Sequence, residues 1–201
     1  MKVYIDEAWR GPLAWPIYCW LIFPVVFSKE IRQMWFIDSK KLTANKREKM
    51  YKKIRQLERE WVLYYSYSYI SNYEIDKLWL SYSIQKLLIS WIRNILKKSW
   101  KKLKDINEIV FDWNTDFWVW KKIWKKVKTV KKWDIKVLQI SMASIVAKVL
   151  RDRYMKIQAK HYPNYDFSNN KWYWTAKHLE AIKNFWIIKL HRKSFLKNIP
   201  K

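Results

Sequence analysis

An α/β or α+β fold is predicted for this chain by three observations. Strand-like segments come first, with helical segments between and after them. Half of the 201 residues are hydrophobic, enough to bury a sizeable core. No internal repeat or low-complexity linker divides the sequence, so it fits one domain, or one domain with a small appendage.

The elements follow in order. Residues 2–8 (KVYIDEA) read as a strand, and 17–27 as a second, strongly apolar one. Residues 43–60 read as a surface helix with Thr43 as N-cap. Residues 62–70 (VLYYSYSYI) are rich in β-formers and partly alternating. Ser71-Asn72-Tyr73-Glu74 is a capping-box pattern, from which one long helix is predicted to run to about Lys98. Residues 108–112 (EIVFD) read as a short strand ending on an acid, and 118–136 are Lys-rich and interrupted by Trp. Helical spacing returns over 141–160 and 175–185, followed by a basic tail.

Lys and Arg number 42 against 17 acids, for a formal net charge of +25. So basic a balance points to a polyanionic partner, usually nucleic acid, with an anionic membrane surface as the competitor. The uncharged run from Pro12 to Ser28 is a poor membrane span: it is short, carries Pro12, Pro16 and Pro24, and follows acids instead of a basic flank. A buried strand or strand pair is the better reading. Cys19 is the only cysteine, so no internal disulfide can form; it reads as a small buried hydrophobe in a reducing cytosol.

Glycine is nearly absent. The chain has 1 glycine and 16 tryptophans, whereas average usage would place glycine at about 7%, roughly 14 residues here. Turns and helix ends need the positive φ that glycine supplies. The tryptophans fall where glycine is wanted. Trp35 precedes FIDS, Trp61 lies between a helix and a strand, and Trp100 follows the long helix where a C′ glycine belongs. Trp113 follows Asp112, and Trp172 and Trp174 flank Tyr173. Only Trp79 and Trp91, inside the predicted long helix, suit ordinary core aromatics. The reading is that glycine codons have been rendered as tryptophan, because UGA is glycine in some bacterial lineages and tryptophan in other codes.

With glycine restored, Ile5–Pro16 becomes IDEAGRGPLAGP, which resembles the first motif of ribonuclease HII, the type 2 ribonuclease H. Further segments resemble the family in order. They are Asp38-Ser39-Lys40-Lys41-Leu42 (DSKKL), Phe111-Asp112-Trp113, Trp133-Asp134, Ser141–Val149 with Arg151-Asp152-Arg153, Tyr162-Pro163, Asn170–Thr175 (NKGYGT with Trp for Gly) and His191–Phe195 (HRxSF). The resemblance implies an RNase H-like α/β fold with a mixed central sheet flanked by helices over 1–160, and a small helical C-terminal part over 161–201. It implies an endonuclease that cuts the RNA strand of RNA–DNA hybrids and nicks duplex DNA 5′ to an embedded ribonucleotide. A cytoplasmic monomer with no membrane association is expected.

Phosphodiester hydrolysis needs an activated water and charge relief, which two Mn²⁺ or Mg²⁺ ions about 4 Å apart supply. Such hard cations want carboxylate oxygens. By resemblance, the metal-binding and catalytic set is Asp6, Glu7, Asp112 and Asp134. Asp6 and Asp112 are expected at strand ends, and Asp134 at a strand start. An isolated strand-end acid is ordinarily a solvated turn residue; four acids at the matching positions weigh against that. Adjacent strand residues face opposite ways, so either β structure breaks at Asp6-Glu7 or one of the pair acts through its carbonyl. Ser39, Lys40, Lys41, Lys148 and Arg192 are candidates for holding the phosphate backbone. The resemblance assigns 2′-OH reading to Trp9-Arg10-Gly11 and junction stacking to Tyr173. An indole at position 9 would obstruct backbone contact with a sugar. His161, His178 and His191 lack metal-ligand spacing and read as structural or phosphate-facing.

Three other readings compete. They are another metal-dependent nuclease of the same fold, a catalytically inactive module stacking single-stranded bases on Trp and Tyr, and a basic membrane binder built on 118–136. The codon reading has a direct check: sequencing the gene should show UGA at Trp9, Trp113, Trp172 and Trp174, and UGG there would refute it.

Overall fold

The computed structural model describes residues 2–8, 17–24, 42–111, 119–123, 125–129, 138–170, 173 and 175–196; for residues 6–8 and 17–24 the backbone alone is described. Within these residues the chain builds a five-stranded mixed sheet. Its strands are β1 (Lys2–Ala8), β2 (Ile17–Pro24), β3 (Leu63–Ile70), β4 (Glu108–Phe111) and β5 (Val127–Thr129). Their order is β3-β2-β1-β4-β5. The β1–β2 and β2–β3 pairs are antiparallel, and β1–β4 and β4–β5 are parallel. The mixed α/β sheet expected from the sequence is present.

Helices cover both faces. Along β3, Leu63 and Tyr65 pack into one cluster while Tyr64 and Ile70 pack into another, as the period of two requires. The first face is covered by α1 (Ala44–Arg59) and the first half of α5 (Leu138–His161), through Ile54, Leu57, Met142, Ile145 and Val146. The opposite face is covered by α3 (Leu80–Ser99), whose Ile84, Leu87, Leu88, Trp91 and Ile95 meet Val3, Ile5, Ile109 and Phe111. A short α4 (Trp120–Ile123) adds Ile123 to that side. In α5 the run Ile140–Ala147 is buried all round, and Ser141, Ala143, Ser144 and Ala147 keep it thin enough to lie close to the sheet. A third cluster joins Met155 of α5 to Tyr165, Phe167, Ala181, Ile182 and Leu190, which bracket α6 (Phe167–Asn170) and α7 (Ala176–Phe185).

The caps read from sequence are in place. The Thr43 hydroxyl accepts from Lys46 N–H, and Ser71 and Glu74 form the reciprocal capping box. The single helix expected beyond Ser71 is instead two, α2 (Asn72–Leu78) and α3, broken at Trp79. Trp79 has φ 64 and ψ 150, a conformation that only glycine adopts readily.

The break at Trp79 belongs to a wider pattern. Among the described residues, non-glycine positive φ occurs at Trp61, Trp79, Trp100 and Trp186, and at Asp166. These four indoles are 64%, 78%, 90% and 79% exposed, so packing does not hold them there. Trp61 and Trp100 each occupy the C′ position of a helix end. Val62 N–H reaches Leu57 O at 3.0 Å, and Lys101 N–H reaches Leu96 O at 3.1 Å, the closing bond of a left-handed helix terminus. Trp91 differs: it is fully buried in the α3 core, as a core aromatic should be, although its indole N–H has no hydrogen-bond partner. Trp→Gly at positions 61, 79, 100 and 186 should each stabilise the fold by about 1 kcal/mol. Trp→Ala, which keeps the Cβ, should not. Denaturant unfolding with an unchanged slope reads this difference.

Candidate active site

The sheet centre positions the acids. β1 and β4 run parallel, with Ile5 opposite Phe111 as their last paired residues among those described. Both are buried, and each precedes an acid: Asp6 follows Ile5, and Asp112 follows Phe111. β1 does not end at Asp6. It continues through Ala8 against β2, with Asp6 opposite Trp20 and Glu7 opposite Cys19. The expectation that Asp6 ends its strand is thereby corrected. Of the two alternatives at Asp6-Glu7, the continuous strand removes the broken one.

Other expected site residues lie outside the described residues: Trp9, Arg10, Gly11, Ser39, Lys40, Lys41, Asp112 and Asp134. Among the described residues no three acids, histidines or cysteines gather as a metal site.

Lys148 sits half-buried on α5, its ammonium donating to Ser144 Oγ at 2.6 Å one turn back. Nearby, Arg47 of α1 donates to Leu42 O at 2.6 Å and pairs with Asp152 at 3.1 Å, while Arg151 holds the other Asp152 oxygen at 2.9 Å. Leu42 closes the DSKKL segment, so this ion network fastens the end of that segment to α5.

Tyr173 is 43% exposed. Arg192 is not: its side chain is fully buried, with the guanidinium over the Phe195 ring at 5.0 Å. Burial lowers its pKa to about 9, against the opposing influence of Asp76 and Tyr173. The expectation that Arg192 faces phosphate is corrected, because a guanidinium with no exposed surface organises the interior. The histidines divide similarly. His161 is exposed, whereas His178 and His191 are buried against each other.

Two residues escaped sequence reasoning. Asp76 of α2 accepts from Lys193 N–H at 2.8 Å and Ser194 N–H at 2.9 Å, and also from the Ser194 hydroxyl. Asn72 donates to Lys189 O at 2.8 Å and His191 O at 3.2 Å. Their partners lie far along the chain, so no local pattern announces them. The one sequence hint is the capping box that begins α2 beside them.

The family model for ribonuclease HII matches residues 4–198. Ribonuclease HII of Campylobacter concisus is 39% identical over 192 residues, covering 96% of this chain and 91% of that protein. Ribonuclease HII of Clostridium beijerinckii is 37% identical over 193 residues, and the match spans 96% of this chain but 66% of that longer protein. Among solved structures, the ribonuclease H2 of Pyrococcus horikoshii is 23% identical with a TM-score of 0.72, covering 98% of this chain and 99% of that one. The PCNA:RNase HII complex from Archaeoglobus fulgidus matches with 20% identity and a TM-score of 0.76, covering 100% and 97%. Bst-RNase HIII in complex with Mn²⁺ matches at 12% identity and a TM-score of 0.64, covering 92% and 62%. These structural likenesses establish the fold. Nothing among the comparisons supports a catalytically inactive module.

Asp76→Ala should release residues 193–195, because it leaves two backbone N–H groups and a hydroxyl without their acceptor. A loss of roughly 2 kcal/mol is expected in denaturant unfolding, with faster amide exchange at Lys193 and Ser194.

Proposed function

The chain belongs to the ribonuclease HII family, and from that premise we propose how its residues perform a ribonuclease H reaction. Such an enzyme is a divalent-metal-dependent endonuclease acting on RNA–DNA hybrids. The finer reading is cleavage of the hybrid's RNA strand and nicking of duplex DNA 5′ to a single embedded ribonucleotide, leaving a 3′-OH and a 5′-phosphate. The observation that carries the site is the parallel register of Ile5 with Phe111, which sets the residue before Asp6 beside the residue before Asp112.

Asp6, Glu7, Asp112 and Asp134 are the residues that would hold Mn²⁺ or Mg²⁺, an all-oxygen set suited to hard cations. When bound, the metal supplies an activated water and charge relief at the phosphoryl oxygens. Because β1 is unbroken, one of Asp6 and Glu7 contributes a carbonyl oxygen. Ser39, Lys40, Lys41 and Lys148 grip the nucleic-acid backbone; Trp9-Arg10-Gly11 meets the 2′-OH; Tyr173 stacks at the junction of ribose and deoxyribose. Residues 161–201 form the part that meets that junction, packed on a catalytic part of residues 1–160. The working form is a cytoplasmic monomer. Among the described residues no helix is long and apolar enough to cross a membrane.

The tryptophan excess enters this reading directly. Trp9 stands where close backbone approach needs no side chain, and glycine there is the functional residue. The exposed, positive-φ tryptophans support the same substitution elsewhere.

A duplex DNA carrying one ribonucleotide tests the proposal. With Mn²⁺ or Mg²⁺, the version bearing glycine at all 16 tryptophans should cut 5′ to the ribonucleotide, and the chain with tryptophan should cut far less. Chelator should abolish cutting. Asp112→Asn should slow it by roughly 10³-fold, the equivalent of several kcal/mol of lost charge stabilisation, while substrate binding persists. Equal cutting by both versions would show that Trp9 does not obstruct the sugar.

A further inference from the structure

Tyr173 is an exposed aromatic whose main chain is held on both sides. Its N–H donates to Asn170 O at 3.1 Å, and its carbonyl accepts from Thr175 N–H at 2.8 Å. The same carbonyl lies 3.0 Å from Nδ1 of buried His178. Nε2 of His178 lies 3.2 Å from Nε2 of His191, also buried, and Nδ1 of His191 lies 3.0 Å from Ile188 N–H.

These contacts fix where the protons sit. A backbone N–H can only donate, so Nδ1 of His191 accepts and its proton is on Nε2. That Nε2–H donates to Nε2 of His178, whose proton is therefore on Nδ1. Nδ1–H then donates to the Tyr173 carbonyl. The opposite tautomer of His191 would aim Nδ1–H at Ile188 O, 3.3 Å away, but it would set that proton against Ile188 N–H and leave Nδ1 of His178 as an acceptor facing the Tyr173 carbonyl. One direction of donation satisfies every group, and it requires both rings to be neutral.

We infer that His178 and His191 are positioning residues for Tyr173: a neutral, tautomer-locked pair that carries a one-way hydrogen-bond chain from Ile188 N–H to the Tyr173 carbonyl. The chain is anchored at its far end, since Asn72 of α2 donates to His191 O and Asp76 holds Lys193 and Ser194. The aromatic ring offered to nucleic acid is thus braced through the interior to α2. This rests on the reading that Tyr173 meets the substrate. Burial supports the neutral state. It lowers the pKa of His178, and with the neighbouring His178 it lowers that of His191 to about 4.

Two measurements test the brace. The first is ¹⁵N NMR of the ring nitrogens. His178 should be protonated at Nδ1 and His191 at Nε2, both unchanged as pH falls through the normal histidine range near 6.5. Among the described residues, the polar groups that contact the pair include Tyr165, whose ring centroid lies 5.7 Å from that of His191, and the carbonyls of Tyr173 and Ile188. Stability should therefore be full above pH 6.5 and fall as pH drops toward about 4, as the unfolded state takes up the protons that the folded state refuses. Either ring titrating normally, or the reverse tautomers, would overturn the inference.

The second is binding of a duplex DNA carrying one ribonucleotide, with chelator present so that no hydrolysis occurs. His178→Phe keeps the ring volume and removes both bonds; it should weaken binding by about fivefold, the worth of one hydrogen bond. His178→Asn restores a donor near the Nδ1 position and should recover most of that. In a Tyr173→Ala background the His178→Phe effect should vanish. An effect of equal size there would mean that His178 only supports the fold. If Tyr173→Ala alone leaves binding unchanged, the substrate reading of Tyr173 fails and takes the inference with it, while the NMR result still stands for the proton arrangement. Should His178→Phe fail to fold, the NMR titration and His178→Asn decide the matter.

Discussion

The parallel pairing of β1 with β4 is the constraint on which the rest depends. About a hundred residues separate the two strands, and no local interaction brings them together. Their register is set by burial. Val3 and Ile5 on β1 and Ile109 and Phe111 on β4 enter the same core beneath α3, and a slip of one residue would turn each toward the wrong face. Among the described residues the β1–β4 register runs to Ile5 and Phe111, and an acid follows each of them in the sequence. The same core therefore sets the residues that precede Asp6 and Asp112 side by side. The core thus decides where chemistry can occur before any catalytic residue is considered.

The second constraint is conformational. Four of the tryptophans hold left-handed or glycine-only backbone while exposing most of their rings to solvent. An indole gains its stabilisation from burial, and these gain little of it. Each carries a Cβ into a region where a Cβ is penalised. The helix ends at Trp61 and Trp100 still close with the hydrogen bonds of a left-handed terminus. The fold therefore demands glycine geometry there whatever residue is written.

Local signals made much of the fold legible. Thr43 and the Ser71–Glu74 box mark helix starts because a cap satisfies backbone donors within three residues. The α2–α3 break was not legible, because a tryptophan carries no helix-breaking signal although Trp79 adopts φ 64 and ψ 150. Apolar spacing on either side then reads as one helix. Asp76 and Asn72 were invisible for a different reason: their partners lie at residues 189–194, and long-range hydrogen bonds leave no periodic trace. Arg192 misled in the opposite sense. A basic residue in a chain of net charge +25 invites a phosphate-binding reading, and only the packing of Phe195 over it reveals an interior role.

That interior role explains how a small C-terminal part can present an aromatic group accurately. Tyr173 sits on a short connection between α6 and α7, where a surface loop would ordinarily wander. It is tied instead by Asn170, Thr175 and His178, and through His191 to the segment that Asn72 and Asp76 hold. A buried neutral imidazole suits this position better than a charged group. A lysine or carboxylate could make one of these bonds but would face the desolvation of a full charge. Histidine both accepts and donates, so two in series pass a hydrogen bond across the interior without placing a net charge there. Arg192, the one buried cation nearby, lies against the Phe195 ring with the field of Asp76 opposing its desolvation.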